Sequence, residues 1–369
     1  MPRQLTMKLC TLLLLGLVLP ECYGQTKPAR PKPGTKGTRS ELDATIDRLG
    51  KTQPEWFKTT PLNYPSTLDL TWPMQPPQGG WNNQKNVGQF LWDVVNPNPG
   101  RWKEGVKLMH HLLNLHKDDP DKRERNMLTL ARMYHNLLED YGRSAFWFRA
   151  AGVEKDPAEY SRSAVVLAEC YWRLGYEDEA KKLLEKIPPS VTHAKLLGDM
   201  GETEKAIQMA IAADDTDGYG FLVAGDSCRH AGRFDDALKY YQKVIEIPLP
   251  AQNPGRLQKV RTRADANIQA ITSFELSDPS RVPNGTYKSS SQGYEAPVEV
   301  AVTVRSGKIE SVKITQHREK QFYSAMTNTP AKIIAKQSVK GVDTTSNATI
   351  TSEAIINATA KALASASKK

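Results

Sequence analysis

The sequence predicts a multidomain α+β protein, in which an array of paired helices precedes a small α+β domain with an antiparallel sheet. Two observations lead to this prediction. Between residues 88 and 276 a Gly-x-x-x-x-Ala pattern recurs among apolar runs of helical period. Over Val298–Val304, valines alternate with other residues, and a Ser-Gly turn precedes a second strand that contains Ile314. At 369 residues the chain is long enough for two domains, each with its own core.

The net charge of +9 is unevenly distributed. Residues 25–40 carry +5 and residues 281–369 carry +7, whereas residues 41–280 carry −4. The sequence also contains no nucleic-acid recognition motif and no basic stripe interleaved with aromatic residues. We therefore expect no nucleic-acid partner.

The N-terminal residues have the pattern of a targeting segment. Arg3 and Lys8 precede the apolar run Leu9–Pro20, which is too short to span a bilayer comfortably, and Gly24 is a small residue at a suitable cleavage position. The sequence thus predicts a signal peptide over residues 1–24 and an exported, periplasmic or otherwise extracytoplasmic protein. An uncleaved segment that tethers the protein to the membrane is the alternative.

Two segments without regular structure are expected next. Residues 25–50 are predicted to be a linker rich in Pro and Lys, and residues 51–87 an irregular segment rich in Pro and Trp. We expect the tryptophans to anchor this segment over the following helices rather than to line a ligand site.

The helical array is predicted over residues 88–276. Each Gly is expected to end a helix in the left-handed conformation, and each Ala to let two helices approach closely. The array resembles the tetratricopeptide family, although its Gly spacings of 26 and 31 residues are shorter than the usual repeat. A closing helix is expected over Arg256–Leu276. Such arrays usually bind a protein partner, and a structural spacer is the alternative. The recurring pairs are Gly175 with Ala180, Gly201 with Ala206, and Gly232 with Ala237.

The C-terminal part begins after Asp278-Pro279. After the two strands, the sequence predicts a short helix over Ala331–Lys336 and a final helix over Glu353–Leu363. The hydroxyl-rich run Asp343–Ser352 lies directly before this last helix. Its Ser and Thr side chains could cap the helix, or place a hydroxyl where a phosphate binds well.

Residues 281–366 resemble the FMN-binding domain family, as found in the C subunit of the sodium-translocating NADH:quinone reductase and the G subunit of the Rnf complex. The resemblance implies FMN as the cofactor. It also implies a flavin transferase that esterifies FMN, through its phosphate, to the last residue of Asp-x-x-(Ser/Thr)-Gly-Ala-(Thr/Ser). The segments that carry the resemblance are Asn284–Tyr287, Gly293–Tyr294, Ser306–Ile309, His317–Glu319 and Asp343–Ser352.

The attachment motif maps onto this chain with one departure. Asn347 stands where the family usually has Gly, and both residues tolerate positive φ. Thr349 is the implied attachment residue, while non-covalent FMN and a plain helix cap remain the alternatives. The implied cofactor-binding residues are Asp343, Ser346, Asn347, Ala348, Thr349, Thr351 and Ser352.

Other chemically notable residues carry weaker expectations. His317 and Glu319 either lie near the flavin or form a solvated hairpin end. Cys170 and Cys228 are predicted to be buried free thiols. The helical histidines lack metal-ligand spacing and are expected to be hydrogen-bonded or exposed; they are His110, His111, His116 and His135.

These observations predict an exported flavoprotein that transfers electrons to or from a redox partner protein or a membrane electron-transfer complex. The flavin transferase and a protein bound to the repeats are the other expected partners. A non-redox scaffold with a degenerate FMN-binding fold is the main alternative, and a flavin reductase is a third reading. No set of side chains for a substrate reaction is visible, so the sequence leaves open whether the protein is an enzyme.

Overall fold

The computed structural model describes residues 37–73, 80, 82–213, 217–250, 255–342 and 349–367. Its helical part precedes three antiparallel strands, which confirms the predicted α+β fold class. The helices are α1 Arg39–Lys51, α2 Val87–Phe90, α3 Trp102–Leu115, α4 Pro120–Asn136, α5 Tyr141–Ala150, α6 Ser161–Arg173, α7 Glu177–Leu184, α8 Val191–Asp199, α9 Thr203–Ala212, α10 Tyr219–His230, α11 Phe234–Glu246, α12 Gly255–Ser273, α13 Ala325–Lys336 and α14 Thr349–Ala366. The strands are β1 Gly285–Gln292, β2 Pro297–Arg305 and β3 Lys308–Gln316.

From α4 to α11 the helices pack in successive pairs, and α12 closes the array against α11. The first helices of neighbouring pairs also touch, since α6 contacts α8 and α8 contacts α10. The closing helix α12 contacts α10 in the same way. We call the surface made by α4, α6, α8, α10 and α12 the first-helix face.

The repeating glycines end helices as the sequence predicts. Gly175, Gly201 and Gly232 have φ of 94°, 87° and 76°, a conformation that residues with a Cβ rarely adopt. The alanines that follow them are fully buried, because the second helix of each pair packs closely on the first at these positions.

The prediction of a linker over residues 25–50 is wrong for residues 39–50, which are helical. Residues 39–51 form α1, which begins with a capping box between Thr38 and Glu41 and packs against α5. Leu42 and Ile46 are fully buried, and Arg39 pairs with Glu154 at 2.8 Å. The Lys- and Pro-rich stretch thus gives way to an integral helix of the fold.

The described part of residues 52–86 contains a three-residue 3-10 helix, Glu55–Phe57, and an isolated bridge between Asp69 and Asn86. Trp72 is 9% exposed, joins the core of α2 and α3, and is stacked under the guanidinium of Arg125. This tryptophan therefore anchors the segment to the helical array.

The sheet has the order β1-β2-β3. In β2 the side chains of Val298, Val300, Val302 and Val304 are fully buried, as their alternation predicts. The helix predicted over Ala331–Lys336 is longer and begins at Ala325, with Pro330 inside it.

Helix α14 lies between the sheet and the helical array. It packs against β1 and β2 on one side and against α12 on another, while α13 contacts both α14 and β3. One hydrophobic cluster joins residues of α10–α12, the valines of β2 and the apolar residues of α14. The two parts therefore share a core, because α14 buries its surface against both the sheet and the helical array.

Candidate functional site

The predicted attachment region lies at the start of α14. Thr349 is the first residue of the helix, and Thr351 and Ser352 lie in its first turn. All three are buried, with exposed fractions of 4%, 3% and 0%. The interpretation of Thr351 and Ser352 as caps that precede the helix is therefore wrong, because the helix begins earlier. Four of the predicted residues lie outside the described part of the chain; they are Asp343, Ser346, Asn347 and Ala348.

Glu319 joins three separate segments of the sequence. One of its carboxylate oxygens accepts the hydroxyl of Thr351 at 2.6 Å, and the other accepts the backbone N–H of Tyr294 at 3.0 Å and of Glu295 at 3.3 Å. Glu319 is 3% exposed, so the alternative of a solvated hairpin end is wrong for this residue. The carboxylate fixes the first turn of α14 against the connection between β1 and β2.

Gly293 is required where this connection passes the carboxylate. A Cβ at this position would lie 2.6 Å from Oε1 of Glu319 and 2.7 Å from the carbonyl oxygen of Ala296. The close approach explains the Gly of the Gly293-Tyr294 pair. Ser352 has a different partner, since its Oγ accepts the hydroxyl of Thr329 on α13 at 3.1 Å. Ser352 thus ties α14 to α13.

Thr349 contacts the helical array directly. The ammonium of Lys195, on α8, donates to Oγ1 of Thr349 at 3.1 Å and forms an ion pair with Asp199 at 2.7 Å. Burial lowers the pKa of Lys195, but the charge and hydrogen bond of Asp199, together with the charge of Glu169, raise this pKa above its ordinary value. A charged ammonium therefore lies beside the predicted attachment hydroxyl.

The segment after β3 adds aromatic and unpaired polar groups. The rings of His317 and Tyr323 meet edge to face with centroids 5.3 Å apart. In this segment Nδ1 of His317 and Oγ of Ser324 are buried without a hydrogen-bond partner among the described residues. Buried polar groups usually have a partner, so these two atoms are exceptions in the C-terminal domain.

The residues present fit a phosphate-bearing flavin. Thr349 offers a hydroxyl, Lys195 offers a cation, and the start of α14 offers backbone N–H groups that have no partner within the helix.

A second polar cluster joins α14 to the first-helix face and was not predicted from the sequence. Arg263 contacts Asp226 at 3.1 Å and Glu353 at 3.2 Å, while Asn357 accepts from Arg229 at 2.8 Å and donates to Asn267 at 2.7 Å. The sequence feature that could have indicated this cluster is the pair Glu353 and Asn357, which lie one helical turn apart in a run of Ala and Ile.

This cluster raises the pKa of one of its carboxyls. Burial, followed by the negative charge of Glu353, raises the pKa of Asp226 to about 6. The hydroxyl of Tyr241 donates to Asp226 at 2.8 Å. Two carboxylates thus share the single guanidinium of Arg263, which leaves the cluster sensitive to protonation.

The remaining sequence expectations concern thiols, histidines and metals. Cys170 and Cys228 are buried free thiols, as predicted, and burial raises the pKa of Cys228 to about 11. His110 bonds to the hydroxyl of Tyr134 and His116 to Asn126, as expected for satisfied histidines. The described residues contain no group of three or more His, Cys, Asp or Glu side chains placed to hold a metal ion. None of the helices described is both long enough and apolar enough to cross a bilayer.

Comparisons with known proteins agree with the order of the two parts. Residues 293–364 match the FMN-binding domain family and residues 161–187 match a tetratricopeptide repeat. These matches confirm the resemblances in the sequence, and the first indicates FMN as the cofactor of the C-terminal domain.

One matching relative is an uncharacterized protein of Treponema pallidum (strain Nichols), which is 38% identical over 87 residues. The match covers 23% of this chain and 24% of the relative, so the chain spans about a quarter of the length of the curated relative that it matches. No solved structure matches this chain.

Proposed function

We propose that this protein is an exported flavoprotein that carries FMN covalently on Thr349 and transfers electrons between protein partners. The observation that carries the proposal is the match of residues 293–364 to the FMN-binding domain, together with the position of Thr349 at the start of α14. When bound, FMN supplies one- or two-electron transfer. The chain's own residues hold and orient it.

The first turn of α14 has the properties that a phosphoester needs. Its backbone N–H groups and the positive end of the helix dipole favour the remaining phosphate charge. Glu319 positions this turn through Thr351, and Ser352 holds it to α13 through Thr329. These contacts support a fixed attachment point.

The test is expression in a host that supplies the flavin transferase. We expect wild-type protein whose yellow absorbance survives denaturation and whose mass includes one FMN, located on the peptide that contains Thr349. Thr349→Ala should be colourless after denaturation. Thr327→Ala, at an exposed threonine of α13, is the matched control and should keep the flavin. Flavin on another residue, or a colourless wild type, would contradict covalent attachment at Thr349.

Asn347 is the observation that favours a second function, a non-redox scaffold whose C-terminal domain has lost its flavin. If the wild type remains colourless in the same host and Asn347→Gly restores flavin attachment, the scaffold is the better description. Attachment to both proteins would support the flavoprotein.

Export and partners complete the proposal. The basic and apolar pattern of residues 3–20 supports secretion, and N-terminal sequencing of protein from the extracytoplasmic fraction tests it by locating the first residue. The tetratricopeptide repeat supports a role for the helical array in protein contacts. The proposed electron partner is a redox protein or a membrane electron-transfer complex.

A further inference from the structure

We propose that the helical array completes the flavin site, with Lys195 of α8 binding the phosphate of the FMN carried by Thr349. This inference rests on the proposed function and adds a residue to its site. It assigns the repeats a second use beyond contacts with another protein, since one of their side chains would bind the cofactor.

The geometry singles out Lys195. Its Nζ atom lies 3.1 Å from Oγ1 of Thr349, the atom that would become the ester oxygen. A phosphate bonded to that atom places its other oxygens within reach of the same ammonium. Among the described residues, Asp199 and Thr349 accept from the ammonium, which has three N–H donors, so one donor remains for a phosphate oxygen.

Asp199 holds the lysine in place. It lies one helical turn after Lys195 on α8, at 2.7 Å from the ammonium, and its side chain is 14% exposed. This ion pair fixes an otherwise flexible side chain before the cofactor arrives, which is how a binding site avoids an ordering cost on binding. Asp199 is thus a positioning residue.

The charges around Thr349 explain why a cation is needed there. An esterified phosphate keeps a negative charge, and the carboxylates of Asp199 and Glu169 both act electrostatically on Lys195. Glu169 is itself paired with Arg173 at 3.2 Å. A phosphate on Thr349 is unfavourable near the Asp199 carboxylate unless a cation faces it, and the Lys195 ammonium lies 3.1 Å from the Thr349 hydroxyl.

The alternative is a structural bridge, in which Lys195 only joins α8 to α14. The two roles differ in their dependence on the flavin. A bridge stabilises the protein equally with and without FMN, whereas a phosphate ligand stabilises the loaded form more. The comparison needs loaded and unloaded protein of the same sequence, which hosts with and without the flavin transferase provide.

The experiment measures the increase in the thermal unfolding temperature that flavin attachment causes. We expect a clear increase for wild type and less than half of it for Lys195→Met, each measured on the fully loaded fraction. Lys205→Met, at a lysine of α9 that is 71% exposed, is the matched control and should retain the full increase. Lys195→Arg, which keeps the charge, should retain most of it.

Equal increases for wild type and Lys195→Met would overturn the inference while leaving covalent attachment intact. A wild type without flavin would overturn both. If Lys195→Met does not fold or load, the ³¹P resonance of the loaded protein is compared between wild type and Lys195→Arg. A shifted resonance supports contact with the phosphate, and an unchanged resonance contradicts it.

Discussion

Glycines in the left-handed conformation end several helices of the array. Gly201 ends α8 with φ of 87°, and no atom lies within 4 Å of where its Cβ would be. The constraint at this position therefore comes from the backbone conformation and not from a lack of space. The same is true of Gly232 after α10.

Gly201→Ala should lower the free energy of unfolding by about 1–2 kcal/mol, because the left-handed conformation is unfavourable for a residue with a Cβ. Urea unfolding followed by circular dichroism measures the change. Gly100→Ala is the control, since its φ is not in the left-handed region and its added Cβ also meets open space. A loss of equal size at Gly100 would show that the conformation at Gly201 is not the cause.

At the scale of elements, α14 depends on charged partners from two helices of the array. Arg263 of α12 pairs with both Asp226 of α10 and Glu353 of α14. The folded protein holds the proton of Asp226 more tightly than the unfolded chain does, because its pKa rises from 3.8 to about 6. The contribution of Asp226 to stability therefore falls as the pH rises between about 4 and 6.

Arg263→Met should be strongly destabilising, by about 3–5 kcal/mol at pH 7.5, because it leaves two buried carboxylates without a cation. The loss of unfolding free energy should be smaller at pH 5. At this pH the carboxylates of Asp226 and Glu353 together take up a proton more readily in the variant than at pH 7.5. Urea midpoints at both pH values measure this difference. Lys259→Met, at an exposed position of the same helix, should change the urea midpoint at neither pH. A loss at Arg263 that is independent of pH would contradict the electrostatic explanation.

Elements with a local signal could be predicted from the sequence, and others could not. The alternating valines gave β2, and the glycines gave the helix ends. β1 has the polar sequence Lys288–Gln292 and forms because its backbone pairs with β2, a long-range contact that composition does not reveal. α1 had a readable capping box at Thr38 and Glu41, but the Lys- and Pro-rich stretch before it obscured the signal.

The residues of the candidate site also differ in whether a local sequence signal indicates them. Thr349 is the attachment residue that the contiguous motif implies, and for Glu319 the sequence left open a position near the flavin or a solvated hairpin end. Lys195 could not be located from the sequence, since it lies 154 residues from Thr349 and only the folded array brings the two together.

At the scale of the whole molecule, the shared core makes the two parts depend on each other. Leu363 of α14 is fully buried in the cluster that also contains residues of α10–α12. All seven tryptophans lie between residues 56 and 172, so their fluorescence reports only on the N-terminal half of the chain.

Leu363→Ala should therefore lower the urea midpoint seen by tryptophan fluorescence, with a loss of about 2–5 kcal/mol for a buried leucine. Leu276→Ala, at a leucine that is 49% exposed, should have little effect. If the tryptophan transition stays at its wild-type midpoint while circular dichroism shows a second, shifted transition, the two parts unfold independently.

If FMN is attached at Thr349 as proposed, the contact between α8 and the start of α14 would also set the order of attachment and folding. Thr349 is 4% exposed and its hydroxyl is held by Lys195, so a modifying enzyme cannot reach that oxygen in the closed protein. On the proposed function, the flavin transferase would have to act before α14 closes against α8. Closure afterwards would enclose the new ester and slow its hydrolysis, and closure beforehand would delay attachment until this contact opens again.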